Sequence, residues 1–268
     1  MKKLIVLAVL PLFLVGCSTY YGNVNYAEES SVYLKPSYRD SDQIGHYISG
    51  SVQTSLIENN NAYKGFTYGN FSYNKGITKE NVNFAYGGFV YGGKINFTEA
   101  NLEKYNVDPT TGIPTETSLV PEDFYFFGGG FSGEVEYNMP FDWVDWRIIG
   151  LKATLSYEES EYAEYRKAIV KKSDEVWVEE NQEPFFSNDR AVNLNYDGFS
   201  FNVSGTSSLI FKMDKGDVGL IGSMGLGNQG VTTSGTLYYS ENRITGFMSL
   251  HTGLQGALFR AGIAYRIK

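Results

Sequence analysis

A serine and a histidine near the end of the chain have side chains that could support nucleophilic catalysis. Ser249 and His251 stand two residues apart. In a β-strand such residues share one face but lie about 6.6 Å apart, too far for the direct hydrogen bond that activates a serine. The surrounding sequence also offers no obvious acid to orient the imidazole. The chain is therefore predicted not to be an enzyme, and an enzyme acting on envelope lipids is kept as an alternative.

A glycine-rich segment offers a second kind of chemistry. Residues Gly225 to Gly230 read GLGNQG, which matches the G-x-G-x-x-G pattern of dinucleotide-binding loops. That loop requires a helix after it, because the helix N-terminus holds the pyrophosphate. The residues that follow, VTTSGTLYY, have the composition of a strand. The segment is predicted to be a hairpin turn, and no cofactor is expected.

Metal ligands are sparse in the sequence. Its two histidines, His46 and His251, fall at opposite ends of the predicted strands and cannot share a metal ion. Acidic residues between positions 158 and 197 could supply the carboxylate oxygens that Ca²⁺ prefers. They lack the spacing of a dedicated calcium loop, and lysine and arginine residues are interspersed among them. A solvated loop is the preferred interpretation, and no metal is predicted.

Composition limits the function classes further. The 268-residue chain contains 22 Lys and Arg against 30 Asp and Glu, for a net charge of −8. Nucleic acids are held by clustered cations that neutralise phosphates, so a nucleic-acid partner is not expected. With one cysteine, Cys17, the chain can form no intramolecular disulfide.

The N-terminus has the features of a processing signal. Lys2 and Lys3 precede an apolar run from Leu4 to Val15, which is too short to span a bilayer as a helix. The sequence Leu14-Val15-Gly16-Cys17 resembles the lipobox of bacterial lipoproteins. The resemblance implies cleavage before Cys17 and acylation (palmitate) of that residue. By the same resemblance, Ser18 after the cysteine implies sorting to the outer membrane. The alternative is an ordinary secretory signal that contains a cysteine.

Three segments follow from this assignment. Residues 1–16 are predicted to be the signal peptide, residues 17–45 a lipidated polar tether, and residues 46–268 a single β-barrel domain. The expected partners are membrane lipids, the lipoprotein-sorting machinery and the machinery that inserts barrels.

The strongest strand signal lies between Phe199 and Gly227. Its first limb alternates apolar residues at odd positions with Ser, Asn and Thr at even positions, Ile210 being the exception. Asp214-Lys215-Gly216 provides a hairpin turn, and a second alternating limb follows. The polar face carries few charges, whereas the wet face of a soluble sheet more often carries Lys, Glu and Arg. This sorting favours a barrel in a membrane.

Similar patterns along the chain predict an antiparallel up-and-down β-barrel of about ten strands, or eight if neighbouring segments merge. Long loops are expected at residues 98–123 and 158–197. Between residues 81 and 97 the apolar positions change from even to odd across Gly87-Gly88, which predicts a β-bulge or kink. The last strand resembles the terminal strand of outer-membrane barrels, with one departure: Lys268 follows the final apolar residue.

Charged residues occupy the polar faces of several strands. If the apolar faces meet lipid, these charges point into the lumen, where opposite charges can pair and fill the barrel. A passage for a substrate is the alternative. The predicted lumen network comprises Glu134, Glu136, Lys152, Lys212, Arg260 and Arg266.

Aromatic residues flank one short connection. Phe141, Trp143 and Trp146 are predicted to form part of an interfacial girdle, because transmembrane barrels place aromatic side chains at the membrane–water boundary.

These observations predict a lipid-anchored barrel of the bacterial outer membrane with a non-catalytic structural or surface-interaction role in the envelope. A soluble periplasmic barrel of the lipocalin kind remains an alternative, with its apolar face turned inward around a lipid-like ligand. Alternation alone does not separate the two, since both have one apolar face.

Overall fold

The computed structural model describes residues 44–55, 65–96, 123–160, 198–228, 230–253 and 256–267. Within these ranges the chain forms ten β-strands and no helix. The strands are β1 (Ile44–Ser55), β2 (Gly65–Lys79), β3 (Val82–Asn96), β4 (Asp123–Pro140), β5 (Val144–Ser160), β6 (Phe199–Lys212), β7 (Asp217–Gly227), β8 (Gly230–Glu241), β9 (Ile244–Gly253) and β10 (Gly256–Arg266).

The ten strands close into one antiparallel up-and-down barrel. Each strand pairs with its sequence neighbours, and β1 pairs with β10 to complete the ring. The predicted fold is therefore confirmed, with ten strands and not eight. The stagger of the barrel is found by starting at Ser55 on β1 and passing from each residue to its ladder partner on the next strand, through β10 and round to β2. This path ends at Thr78, which lies one residue beyond Ile77, the β2 partner of Ile44. This stagger of about twelve residues corresponds to a strand tilt of about 40° and a barrel radius of about 10 Å.

The two ends of the barrel differ. One end, here called the turn end, has short connections between the strands, at residues 80–81, 141–143, 213–216 and 242–243. The first residue of β1 and the last residue of β10 also lie at this end. At the other end, called the loop end, the connections are residues 56–64, 97–122, 161–198, 228–229 and 254–255. Of these residues, the structure describes 198 and 228 alone. The predicted long connections after β3 and β5 and short connections after β4 and β6 are confirmed, while the loop-end connections after β7 and β9 have two residues each.

Side chains alternate between the two sides of the wall, as strand geometry requires. In β6 the odd residues Phe201, Val203 and Leu209 are 44%, 47% and 37% exposed, whereas Ser204 and Ser208 are 2% and 3% exposed. The apolar face thus points outward and the polar face inward. The alternative of a lipocalin-like barrel with an apolar interior is wrong for this chain.

The predicted bulge at Gly87-Gly88 is also wrong. β3 pairs with β2 and β4 residue for residue along its whole length, without a register shift. The change of apolar parity has another cause. Phe84 and Tyr86 face outward, whereas Phe89 and Tyr91 are buried inside the barrel. Near the loop end the apolar side chains of this strand, Phe89, Tyr91 and Ile95, face inward, whereas its outward positions beyond Val90 hold Gly92, Lys94 and Asn96.

The register shifts occur instead in the wall around β5. One lies between Tyr137 and Asn138 in the β4–β5 ladder, and the other lies between Arg147 and Gly150 in the β5–β6 ladder. An extra residue reverses which parity faces inward. Arg147 therefore faces the lumen together with the even-numbered Lys152.

A small apolar cluster lies inside the turn end of the barrel. It consists of Tyr47, Ile210, Tyr238, Phe247 and Ala264, which come from five different strands. Ile210 breaks the polar pattern of β6 because it belongs to this cluster. Gly219 leaves room for the ring of Tyr238, since a Cβ at that position would clash with the ring.

Candidate functional site

The outer wall is the first functional surface of this molecule. Its exposed large side chains are almost all apolar, and on β4 they extend from Tyr125 to Met139. Fourteen residues at about 2.5 Å of axial rise each span about 35 Å, which is enough to cover the apolar band of a transmembrane barrel, about 25 Å tall, and the aromatic girdles beside it. Among outward side chains of the described strands, charges are confined to Lys75 and to positions close to strand ends: Lys79, Lys94, Glu159 and Glu241.

Hydroxyl and amide side chains occupy the middle of the lumen. They hydrogen-bond across neighbouring strands, as in the Ser49–Ser72 pair, whose hydroxyl oxygens are 2.5 Å apart. Thr236 donates to Ser249 over 2.9 Å. Inward residues such as these are buried, although the lumen of an open channel would leave them in contact with water. The lumen is therefore narrow and filled by its own side chains.

Arg260 is the largest side chain in this middle layer. It is 1% exposed, and its Nε donates to the hydroxyl of Ser51 over 3.0 Å. Its guanidinium lies 5.3 Å from the centroid of the Phe247 ring, a cation–π arrangement. Arg260 thus spans from the polar layer to the apolar cluster at the turn end.

Two ion pairs fill the lumen near the turn end. Arg147 approaches Glu136 at 3.5 Å, and Lys212 approaches Asp145 at 2.6 Å. These side chains are almost completely buried, Lys212 slightly less so than the others. A buried charge is tolerated when it is paired, so each pair holds two strands in a fixed register. Both cross strand pairs that include β5.

The register shift and one glycine make these pairs possible. Because of the shift, Asp145 and Arg147 face the lumen, whereas without it they would face the outer wall. Gly150 lies next to the pairs, and a Cβ there would clash with Thr206 and Glu136. Thr206 in turn donates a hydrogen bond to Glu134 over 2.9 Å.

Aromatic side chains close the lumen toward the loop end. Tyr68, Tyr91 and Phe126 pack with ring centroids 5.7 to 6.4 Å apart. Phe89 stacks on Tyr91 at 6.2 Å. We call this group, completed by Ile95, Phe124 and Leu258, the aromatic cap. Its members are all at most 5% exposed: Tyr68, Phe89, Tyr91, Ile95, Phe124, Phe126 and Leu258.

All six residues of the predicted lumen network lie on inward-facing positions. Glu136, Lys152 and Arg260 are buried, and Glu134, Lys212 and Arg266 retain some exposure. Lys152 lies directly opposite Glu134 in the β4–β5 ladder. Asp145 and Arg147 complete the two ion pairs, although neither is part of the predicted network.

The predicted interfacial aromatics lie at one connection of the turn end. Phe141, Trp143 and Trp146 are 50%, 66% and 42% exposed on the outer side. Trp143 stacks on Phe211 with ring centroids 6.1 Å apart. This position is where a membrane–water boundary would meet the turn end of the barrel. Their role as a girdle stays a prediction.

The other candidate residues are separated or lie beyond the described ranges. Gly227 and Gly230 pair directly in the β7–β8 ladder, so the glycine-rich segment connects two strands and no helix follows it. Ser249 and His251 both face the lumen and are buried, whereas His46 faces outward. Cys17 and most acids of the 158–197 segment lie outside the described residues.

No group of three or more His, Cys, Asp or Glu residues in the described strands is placed to bind a metal ion. Likewise, none of the described segments is a helix that could cross a membrane.

The aromatic cap was missed, but the sequence contains a signal for it. Phe124 to Phe127 is a run of four aromatic residues, so both faces of that strand are apolar. In β3 the signal is the change of apolar parity at Gly88, after which Phe89, Tyr91 and Ile95 occupy inward positions. Apolar residues on both faces of a strand, as in β4, indicate burial on both sides, even in a barrel whose lumen is otherwise polar.

Comparison with known proteins adds little beyond the fold. No protein-family model matches the chain, and no curated protein sequence does. Similar solved structures include the deltaS2S3 mutant of the TodX monoaromatic hydrocarbon channel, at 11% identity and a TM-score of 0.33, covering 94% of this chain and 73% of that one.

Two further structures are similar to a comparable degree. The attachment invasion locus protein Ail of Yersinia pestis, in complex with sucrose octasulfate, shows 10% identity and a TM-score of 0.32, covering 85% of this chain and 100% of that one. The KdgM porin bound to oligogalacturonate shows 7% identity and a TM-score of 0.31, covering 84% and 100%. At these values the likeness carries no functional argument.

Proposed function

We propose that this protein is a lipid-anchored β-barrel of the bacterial outer membrane with a closed lumen. Its role is non-catalytic: it acts in the envelope as a structural element or through surface interactions. The observation that carries the proposal is the inverted distribution of side chains, with apolar residues outside and ion pairs inside.

The membrane location follows from the energetics of the outer wall. Soluble proteins rarely expose contiguous apolar patches of more than a few hundred Å², yet here an apolar surface surrounds the barrel. In a bilayer the same apolar surface contacts the hydrocarbon chains of the lipids and is not exposed to water. Closure of the sheet leaves no unpaired strand edge in the lipid, which is the condition for a β-structure to span a membrane.

The closed lumen distinguishes this proposal from a channel. The aromatic cap occupies one end of the lumen, and the pairs Arg147–Glu136 and Lys212–Asp145 occupy the other. Passage of a solute would require both ends to open, at the cost of separating buried charges. Without a passage, contact with other molecules falls to the loops and to the outer wall.

The anchor is consistent with this arrangement. β1 begins at Ile44 at the turn end. The turn end of a transmembrane barrel faces the periplasm, so a lipid on Cys17 would enter the inner leaflet of the outer membrane. The residues between Cys17 and Ile44 then serve as a tether on the same side of the membrane.

Reconstitution into planar bilayers tests the proposal. Insertion is first verified by protection of the strands from protease and by a heat-dependent shift in electrophoretic mobility. We expect the inserted protein to give no discrete conductance steps, whereas a general porin in the same bilayer conducts. Stable, repeated conductance steps would contradict the closed lumen, and failure to insert into any lipid would contradict the membrane location.

A further inference from the structure

Lys75 is the exception to the apolar outer wall. It lies on β2, four residues before the strand ends at Lys79, and it faces outward. Among the residues that the structure describes, its ammonium makes no hydrogen bond and no ion pair. Its contact is a cation–π arrangement with the outward-facing ring of Tyr86, whose centroid lies 5.9 Å from the Lys75 Nζ.

Two hydrogen-bonding side chains lie beside this lysine. His46 is the direct partner of Lys75 in the β1–β2 ladder, so their Cβ atoms are about 5 Å apart. The His46 Nδ1 lies 2.6 Å from the hydroxyl oxygen of Tyr73, which stands two positions before Lys75 on the same face of β2. We call these four residues, His46, Tyr73, Lys75 and Tyr86, the basic patch.

The basic patch presents donors, and no anionic side chain of the described strands pairs with the ammonium of Lys75. If Tyr73 donates to Nδ1 of His46, then the Nε2–H of the imidazole remains as a donor beside the three N–H groups of Lys75. The neighbouring outward side chains on these strands are apolar, among them Ile44, Ile77 and Phe84. An anionic oxygen that engages these donors must therefore come from outside the described strands.

The depth of the patch identifies the source of that anion. Lys75 is five residues from the connection at Glu80, or about 12 Å along the barrel axis. The extended lysine stem, about 6 Å long, can run along Tyr86 toward the turn end, as lysines do near a membrane boundary. Its ammonium then reaches the level at which the phosphates of the turn-end leaflet lie.

We propose that the basic patch binds the phosphate of an anionic glycerophospholipid in the leaflet at the turn end of the barrel. Lys75 supplies the charge, His46 supplies a hydrogen bond, and the apolar wall on the side of the membrane centre, which includes the paired residues Phe71 and Val90, receives the acyl chains. This inference rests on the proposed membrane location and names a lipid partner that the location alone does not specify.

Native mass spectrometry of the full chain tests the inference. The protein is inserted into micelles that contain equal amounts of dioleoyl phosphatidylglycerol and dioleoyl phosphatidylcholine, and retained lipids are counted after detergent removal. One lysine near an anionic surface contributes roughly 1 kcal/mol, so we expect about a fivefold preference of the wild type for phosphatidylglycerol. Lys75→Gln should reduce this preference to near parity.

Lys94→Gln is the matched control, because Lys94 also faces outward but lies near the loop end of β3. It should retain the wild-type preference. An equal preference for phosphatidylglycerol in the wild type and in Lys75→Gln would overturn the inference. Loss of the retained lipid on addition of millimolar inorganic phosphate would also overturn it, because it would indicate a site for free phosphate. Protease protection is measured in parallel, so failure to insert, which would contradict the proposed function, is distinguishable from insertion without lipid preference.

Discussion

Met248 provides a sharp test of which solvent the outer wall meets. It lies at the centre of β9 and is 51% exposed, and its ladder partners Leu237 and Ala261 also face outward. Ile244 begins the same strand on the same face and is 57% exposed. Four residues of strand place Met248 about 10 Å farther from the turn end than Ile244.

The two environments give opposite expectations for lysine at these positions. In a bilayer, Met248→Lys should lower the free energy of unfolding by about 2–4 kcal/mol, because it places a charge near the midplane. Ile244→Lys should cost about 0–1 kcal/mol, since that side chain reaches the interface. In water, both substitutions concern exposed residues and should change stability by no more than about 0.5 kcal/mol.

The assay is reversible guanidinium unfolding of the barrel in lipid vesicles, followed by tryptophan fluorescence. The difference between the two variants matters more than either value, because it cancels general effects of an added charge. An equal and small effect at Met248 and Ile244 would refute the membrane assignment of the outer wall.

Three further predictions concern the anchor, the girdle and the ion pairs. Cys17→Ser should abolish acyl labelling of the protein in cells, and an unmodified mature N-terminus at another residue in the wild type would contradict the lipid anchor. Fluorescence of Trp143 and Trp146 should be quenched by lipids brominated near the headgroup, and absence of quenching in bilayers would argue against an interfacial girdle. Arg147→Met should cost about 3–5 kcal/mol of unfolding free energy, because it leaves Glu136 buried without its partner. Adding Glu136→Gln should recover part of that loss, and an Arg147→Met variant of wild-type stability would show that the pair does not stabilise the barrel.

Local patterns were sufficient to predict most of the fold. The β6–β7 hairpin illustrates why: alternation with a period of two specifies a strand, and Asp214-Lys215-Gly216 specifies where it reverses. The near-absence of charged residues on the outward positions then indicates that this face contacts lipid and not water. These signals are local and repeat in every strand, so the strand count and the arrangement of the connections could be predicted from them.

The lumen could not be predicted as fully, because its contacts join residues that are distant in sequence. The alternation in β6 shows that one face of the strand is apolar, but it does not show whether that face points into the barrel or out of it. The closed barrel in three dimensions decides this. The position of the register shift between Arg147 and Gly150 leaves no clear local signature, yet it decides that Asp145 and Arg147 face the lumen. Asp145 pairs with Lys212 because of the register in which β5 and β6 align, and the sequence alone does not give that register.

The most direct test of the central claim is a comparison of lipid and water access along β6. Single cysteines at positions 201, 203, 204 and 208, in a Cys17→Ser protein refolded into vesicles, carry spin labels whose relaxation is measured with a lipid-soluble and a water-soluble agent. A closed barrel with an apolar outer wall predicts that labels at Phe201 and Val203 respond to the lipid-soluble agent, while labels at Ser204 and Ser208 respond to neither. Free access of the water-soluble agent to Ser204 and Ser208, or shielding of Phe201 and Val203 from lipid, would contradict it.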